Sequence, residues 1–229
     1  MPNWVFNTLS ISGPKEQISA LKEQLNKPFT KVHDHWNSET GKMELKEFSY
    51  SKPIFAFQNI YNHIDDGVSE DIYRGQPDHS KDPLDFSGND WYNWNVRNWG
   101  TKWDVAVQDD DKYPDTYIVD EGDTIIAYHF NTAWSPPTEV IAVLSAQYPN
   151  CEMSLSFEEE TGWGGETEFE EGKPIEVEYY DNKCRDCDSI NTLEWCENDC
   201  GEICSDCKDL GEADMEAVAE CEVHSALLA

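Results

Sequence analysis

The clearest chemical signal in this sequence is a cluster of cysteines near its C-terminal end. Six of the eight cysteines lie between residues 184 and 207, and two C-x-x-C pairs, Cys184 with Cys187 and Cys204 with Cys207, are separated by sixteen residues. This spacing is typical of a four-cysteine zinc site. Each pair forms a knuckle that offers two sulfurs, and two knuckles complete a tetrahedron with Zn–S bonds of about 2.3 Å. The sequence therefore predicts a structural zinc ribbon that binds Zn²⁺ through these four thiolates.

Other uses of the same cysteines remain open. Cys196 and Cys200 could each replace an outer cysteine as a ligand, or stay as free thiols. Disulfides are less favoured because nothing indicates an oxidising compartment, and the spacing does not resemble that of a ferredoxin iron–sulfur site. Four thiolates leave no open coordination position, so we expect no metal catalysis here.

The charge of the chain is concentrated in its second half. The 229 residues carry a net charge of −31, and residues 1–103 hold 14 acidic and 11 basic side chains while residues 104–229 hold 33 and 5. Binding to nucleic-acid phosphates depends on clustered Lys and Arg, so we do not expect direct contact with DNA or RNA. The asymmetry indicates either a surface for a basic partner or a device for solubility.

Two short acidic segments show an ordered pattern. Glu166, Glu168 and Glu170 alternate with other residues, and so do Glu176 and Glu178. On strands, each set would share a face, with about 6.6 Å between successive side chains at a rise of about 3.3 Å per residue. We interpret these five carboxylates as a candidate partner-binding row that imitates a nucleic-acid backbone. The alternative is that the charges keep an edge strand from aggregating.

Periodicity predicts the elements that position these residues. Strands are expected at 3–12, 102–108, 116–119, 124–132, 151–157, 166–171 and 175–180, and helices after Pro14, around 89–100 and after an N-cap at Ser135. Residues 65–90 are rich in Gly, Pro and Asp, which indicates a loop-rich insertion.

The segment from Asn89 to Asp104 is unusually rich in tryptophan. Tyr92, Val96 and Trp99 recur at helical spacing, and Gly100 is placed to end the helix in a left-handed conformation. Its aromatic side chains either fill the core between sheet and helix or form a platform on which sugars or single-stranded nucleic acid stack. The acidity of the chain argues against nucleic acid.

The order of elements predicts an α+β fold, a ferredoxin-like split β-α-β antiparallel sheet with both helices on one face. We expect one domain at 1–180, with an insertion at about 29–100, and an acidic module with the zinc ribbon and a C-terminal tail at 181–229. No apolar run is long enough to span a membrane, and Met1-Pro2-Asn3-Trp4 lacks the pattern of a secretory signal, so we expect a cytoplasmic protein.

Three motifs resemble one known family. Met1-Pro2-Asn3-Trp4 with Ser12-Gly13-Pro14, the segment from Trp91 to Trp103, and Thr132 to Pro137 are similar to the YubB-like ferredoxin-fold family, over residues 1 to about 160. Those proteins are carried by phages and conjugative plasmids. The resemblance implies a ferredoxin-like fold and a bacterial host cytoplasm. It implies no catalytic residues, and the cysteine-rich tail lies outside it.

No motif for phosphate binding or nucleophilic catalysis is present in the sequence, so we expect a protein that is not an enzyme. Our first hypothesis is a phage or mobile-element accessory protein whose acidic half binds a basic host protein, such as a nuclease, a defence protein or a DNA-binding factor. The second is a zinc-ribbon adaptor between proteins, in which the acidity serves only solubility. The sequence leaves the oligomeric state open.

Overall fold

The computed structural model describes residues 3–78, 80, 82 and 84–180, and the backbone of two short strands at 193–195 and 202–204. The strands are β1 Trp4–Ser12, β2 Phe29–Asn37, β3 Lys42–Tyr50, β4 Tyr117–Glu121, β5 Ile125–Ala133, β6 Glu152–Glu159, β7 Gly164–Glu170, β8 Lys173–Tyr180, β9 Leu193–Trp195 and β10 Glu202–Cys204. The helices are α1 Lys15–Leu25, α2 Glu70–Tyr73, α3 Trp91–Trp99 and α4 Thr138–Gln147.

Six strands form one antiparallel sheet in the order β4-β5-β1-β6-β7-β8. With α1 after β1 and α4 after β5, the elements β1, α1, β4, β5, α4 and β6 follow the split β-α-β connection of ferredoxin-like folds. This arrangement confirms the predicted α+β class. Strands β7 and β8 extend the sheet beyond β6.

Alternation along the strands separates a buried inner face of the sheet from an exposed outer face. In β1, Val5, Leu9 and Ile11 are fully buried, whereas Phe6 and Ser10 are exposed. The buried stripes of α1 and α4 join this inner face in one core, because residues three or four apart lie on one side of a helix. The burial of Ile18, Leu21 and Leu25 in α1 and of Val140, Ile141 and Leu144 in α4 agrees with the sequence prediction.

The segment between α1 and β4 is the predicted insertion, and it contributes to the core. Strands β2 and β3 pair with each other as a hairpin, and most of residues 51–90 form turns and loops. Trp94 and Trp99 of α3 are fully buried. Their indole N–H groups donate to the Asp66 carboxylate at 3.0 Å and to the Tyr61 carbonyl at 2.9 Å, so their burial leaves no donor unpaired.

Two local predictions are wrong. Residues 102–108 form no strand, because the backbone N–H groups of Val105 and Ala106 donate to the Asp104 carboxylate instead of to a neighbouring strand. Ser135 does not cap α4, since its hydroxyl donates to the Gly100 carbonyl and the helix begins at Thr138. In α3 the buried residues are Asn93, Trp94, Asn95 and Trp99, while Tyr92 and Val96 are half-buried.

The predicted zinc ribbon lies outside the described residues. Cys184, Cys187 and Cys207 fall in segments that the structure does not describe, as do Cys196 and Cys200. Cys204 is the last residue of β10, which pairs antiparallel with β9, and only its backbone is described. Within the described residues, no helix is long and apolar enough to cross a membrane.

A buried histidine in the insertion makes the stability of the fold sensitive to pH. His63 is 5% exposed, stacks on Tyr73 with ring centroids 3.9 Å apart, and hydrogen-bonds through Nε2 to Glu70 at 2.9 Å. Burial lowers the pKa of His63 below its ordinary value of 6.5, although the nearby Glu70 carboxylate raises it in part. The unfolded chain therefore takes up a proton at a higher pH than the folded chain.

We expect the free energy of unfolding contributed by His63 to fall as pH drops below about 6.5, with a slope of at most about 1.4 kcal/mol per pH unit. Urea denaturation between about pH 7 and pH 5 should show a steeper loss for the wild type than for His63→Gln. His35→Gln, at an exposed position of β2, is the control and should keep the wild-type slope. Equal slopes for all three proteins would refute the assignment.

Candidate functional site

Six carboxylates line one side of the extended half of the sheet. Glu152 and Glu158 lie on β6 opposite the outer-face residues Ser12 and Phe6 of β1, so they point away from the helices. On β7 the buried residues Thr167 and Phe169 alternate with the glutamates, which places the glutamates on the same outer face. We call this surface the anionic sheet face, and its members are Glu152, Glu158, Glu166, Glu168, Glu170 and Glu178.

The pairing of β8 assigns the predicted glutamates to different faces. Glu178 lies opposite Glu166 and joins the anionic sheet face. The register then shifts between Glu166 and Thr167, so that Glu176 lies opposite Thr167, on the side that faces the helices. Four of the five predicted residues thus share a face with two others from β6, and Glu176 does not.

The anionic sheet face is held by hydrogen bonds and carries little compensating charge. The Ser154 hydroxyl donates to Glu166 at 2.5 Å, and the Tyr180 hydroxyl donates to Glu158 at 3.3 Å. Lys173, opposite Glu170 at the start of β8, is the nearest basic residue by strand register within the described sheet. Because strands lie about 4.8 Å apart and alternate residues about 6.6 Å apart, the carboxylates form a dense lattice on a rigid surface.

A second candidate site is a cleft lined by aromatic rings and carboxylates. Lys102 lines this cleft, and its Nζ lies 4.7 Å from the ring centroid of Trp134 and 5.8 Å from those of Trp91 and Tyr92, which line the cleft too. The ring of Trp103, beside the cleft, lies 4.5 Å from the same Nζ. The cleft has a volume of about 380 Å³, and Asp78, Asp82 and Asp85 contribute to its lining. We call this surface the aromatic cleft.

Two polar contacts bring the end of α3 to the segment after β5. Gly100 ends α3 in the left-handed conformation, with φ of 81°, as predicted. The Ser135 hydroxyl donates to the Gly100 carbonyl, and the Thr101 hydroxyl donates to the Ala133 carbonyl at 3.0 Å. A Cβ at Gly100 would collide with the Glu139 carboxylate and lie 3.2 Å from the Pro136 carbonyl oxygen. These contacts hold Lys102, two residues after Gly100, close to Trp134.

The backbone at the aromatic cleft is fixed from both sides. The Asn95 side chain donates to the Lys102 carbonyl at 2.8 Å, and Asn95 in turn accepts from the Tyr73 hydroxyl at 2.7 Å. Trp134 has a φ of 72°, a left-handed conformation that is costly for a bulky residue, yet its ring is 45% exposed. Its backbone N–H donates to the Asn3 carbonyl at 3.0 Å, which holds the chain in this conformation.

Sequence analysis singled out the Trp-rich segment but did not separate its two roles. Trp94 and Trp99 fill the core, whereas Trp91 and Tyr92 line the aromatic cleft with Trp134, and Trp103 lies beside it over Lys102. Lys102 and Trp134 were not identified as site residues. One sequence signal could have found them. Lys102 lies near Gly100 and Trp134 lies near Pro136, both turn-forming residues, and no helical or strand periodicity assigns either side chain to the core.

The described residues place no metal-binding group at either surface: they contain no cluster of three or more His, Cys, Asp or Glu suited to a metal ion. His33 and His35 both contact the Phe48 ring, at 4.1 and 5.7 Å between centroids.

Comparison with known proteins identifies part of this fold. A family model described as the ferredoxin-like domain in Api92-like protein matches residues 102–194. That range contains β4 to β8 and α4, and thus all six glutamates of the anionic sheet face together with Lys102 and Trp134 of the aromatic cleft. The match agrees with the predicted ferredoxin-like fold. The description of the family model names Api92-like proteins.

Among solved structures, the crystal structure of a protein Api92 from Yersinia pseudotuberculosis is similar to this chain. The two share 11% sequence identity with a TM-score of 0.44, over 79% of this chain and 99% of that one. No curated protein matches the sequence.

The contact at Gly100 yields a test of how the aromatic cleft is built. Gly100→Ala should lower the free energy of unfolding by about 1–3 kcal/mol, because it adds left-handed strain, displaces the Glu139 carboxylate and places a Cβ 3.2 Å from the Pro136 backbone oxygen. Urea denaturation measures this loss. Gly67→Ala is the matched control, since Gly67 has a φ of 72° with open space around it. The Gly67 variant should lose less stability, and an equal loss in both would contradict the close approach.

Proposed function

We propose that this protein is a binding protein without enzymatic activity whose anionic sheet face docks on a basic protein surface. The observation that supports the proposal is the placement of Glu152, Glu158, Glu166, Glu168, Glu170 and Glu178 on one exposed side of β6, β7 and β8. The net charge of −31 adds a long-range field of the same sign.

The rigidity of the sheet makes this surface suitable for electrostatic docking. Backbone hydrogen bonds between strands hold the residues that carry the carboxylates in register, so little backbone order has to be gained when a partner binds. Complementary charge of this kind accelerates association and selects partners by sign more than it adds affinity. A row of carboxylates on a rigid surface can occupy a groove that otherwise receives nucleic-acid phosphates.

The proposed partner is a basic host protein, such as a nuclease, a defence protein or a DNA-binding factor, in a bacterial cytoplasm. The resemblance to proteins of phages and conjugative plasmids supports this setting, and the excess of 33 acidic over 5 basic side chains in residues 104–229 supports the sign of the partner's charge. Inhibition by nucleic-acid mimicry is the form of action that such a pairing favours.

The proposal predicts that neutralising the anionic sheet face weakens partner capture. In a variant with all six glutamates changed to glutamine, the affinity for basic host proteins in low salt should fall on the order of tenfold to a hundredfold. The reason is that each exposed ion pair contributes about 0.2–1 kcal/mol to binding. Capture from a bacterial lysate in low and high salt, followed by mass spectrometry and by elution with duplex DNA, measures the effect.

The matched control removes the same number of charges elsewhere. It changes Glu16, Glu23, Glu39, Glu47, Asp71 and Asp110, which are exposed residues outside the sheet face, to their amides. This control should capture the same proteins as the wild type. If both variants lose capture equally, or if the captured proteins are not displaced by DNA, then general charge and not this surface explains the binding.

Zinc is the cofactor we propose for the C-terminal module. The support is the spacing of Cys184, Cys187, Cys204 and Cys207, together with the antiparallel pair β9–β10, which follows the first cysteine pair and ends at Cys204. Elemental analysis of the purified protein should give one zinc ion per chain, and a Cys184→Ser, Cys187→Ser double variant should lose it. Cys151→Ser, a buried thiol of the sheet domain, should keep its zinc. A wild-type protein without zinc would refute the ribbon.

A further inference from the structure

Four aromatic rings, three that line the aromatic cleft and Trp103 beside it, lie close to one cation. Cation–π attraction operates when a charged nitrogen lies within about 6 Å of a ring centroid, and the Lys102 Nζ meets this distance at Trp91, Tyr92, Trp103 and Trp134 together. By contrast, Lys46 lies over one ring, that of Phe48, at 4.7 Å. The four rings come from α3, from the segment after Gly100 and from the segment after β5, so the fold assembles this cage from separate parts of the chain.

The charge around the cage also selects a cation. Among the described residues that line the cleft, three are carboxylates, those of Asp78, Asp82 and Asp85, and one is basic, Lys102. The surface therefore attracts cationic groups and repels phosphates and carboxylates. A volume of about 380 Å³ is within the range of small-ligand sites. Burial lowers the pKa of Lys102, in agreement with an ammonium that is partly withdrawn from water.

The exposed, strained tryptophan is the second independent sign of a site. Trp134 combines a φ of 72° with a ring that is 45% exposed, so the strain is not explained by burial of the side chain in the core. Left-handed conformations of bulky residues concentrate at ligand-binding and catalytic positions. Here the conformation directs the indole over Lys102, at 4.7 Å, and closes one side of the cage.

We propose that the aromatic cleft is a binding site for an organic cation, an alkylammonium or guanidinium group, which enters the four-ring cage in place of the Lys102 ammonium. Lys102 is the internal occupant that the incoming cation displaces toward the carboxylates at the rim. This site is distinct from the anionic sheet face and does not depend on the proposed docking function. The cation is either a free small molecule or a side chain of a basic polypeptide.

The test compares a quaternary ammonium with its neutral isostere. Choline and 3,3-dimethylbutan-1-ol have the same shape, so a cage that selects charge should bind choline at least tenfold more tightly. Proton NMR of the choline methyl groups, which ring currents shift upfield, and tryptophan fluorescence measure binding to the wild-type protein. Equal binding of the two compounds, or binding of neither, would overturn the proposal.

Removing the internal occupant sharpens the test. Lys102→Ala should bind choline at least tenfold more tightly than the wild type does, because no resident ammonium competes for the rings. Lys46→Ala, which removes a lysine from a single ring on the hairpin, should leave choline binding unchanged. Trp134→Leu should weaken it in either background. If Lys102→Ala does not fold, the wild-type comparison of choline with its isostere decides the question.

A third arm identifies the source of the cation. Short peptides with lysine, trimethyllysine or arginine at their centre are titrated beside choline under the same conditions. Peptide binding at least tenfold tighter than choline binding assigns the cleft to a basic polypeptide, and the reverse order assigns it to a small molecule. Either order supports the cation site, whereas a peptide with a central glutamine that binds as well as the cationic ones would overturn it.

Discussion

The close approach of Gly100 to the start of α4 is the contact on which the arrangement of this molecule depends. A residue with a side chain at this position would collide with Glu139 and would be strained at a φ of 81°. With glycine there, the Ser135 hydroxyl reaches the Gly100 carbonyl, and Thr101 reaches Ala133. The insertion is thereby fastened to the β5–α4 connection, and two segments that are distant in sequence line one cleft.

The antiparallel sheet carries apolar residues on one face and charged residues on the other. Strand alternation gives the inner face to Val5, Leu9, Met153, Leu155 and Phe169, which bury α1 and α4. The outer face is released from packing, so it tolerates six glutamates that would be costly in a core. Charged side chains and a register shift protect the edge strand β8 from pairing with other chains. This protection is compatible with partner binding, because the same carboxylates serve both purposes.

The two candidate surfaces meet along the start of β1. Trp4 lies on the outer face, two residues before Phe6, and Phe6 pairs with Glu158. The ring centroids of Trp4 and Trp103 are 6.1 Å apart. The backbone N–H of Trp4 donates to the Glu160 carboxylate at 2.7 Å. Both surfaces favour positive charge, one through carboxylates and the other through ring faces. Their chemistry differs, since carboxylates attract any cation while a cage of rings selects one of suitable size and weak hydration.

The sequence by itself determined the α+β class, the strands β1 and β5 to β8, the buried stripes of α1 and α4, and the left-handed end of α3 at Gly100. These features follow from periodicity and from residue types with strong local preferences, which act over a few neighbours. It also indicated that Glu166, Glu168 and Glu170 share a face.

Only the tertiary structure decided the rest. The register shift that sends Glu176 to the other side of β8, the irregular path of residues 102–108 around Asp104, and the division of the tryptophans between core and cleft depend on contacts between distant segments. Side chains such as Lys102 and Trp134 acquire a role only when the chain brings them together. Local conformational preference does not predict that Lys102 and Trp134 lie close together. Their proximity depends on contacts between distant segments, Ser135 with Gly100 and Thr101 with Ala133.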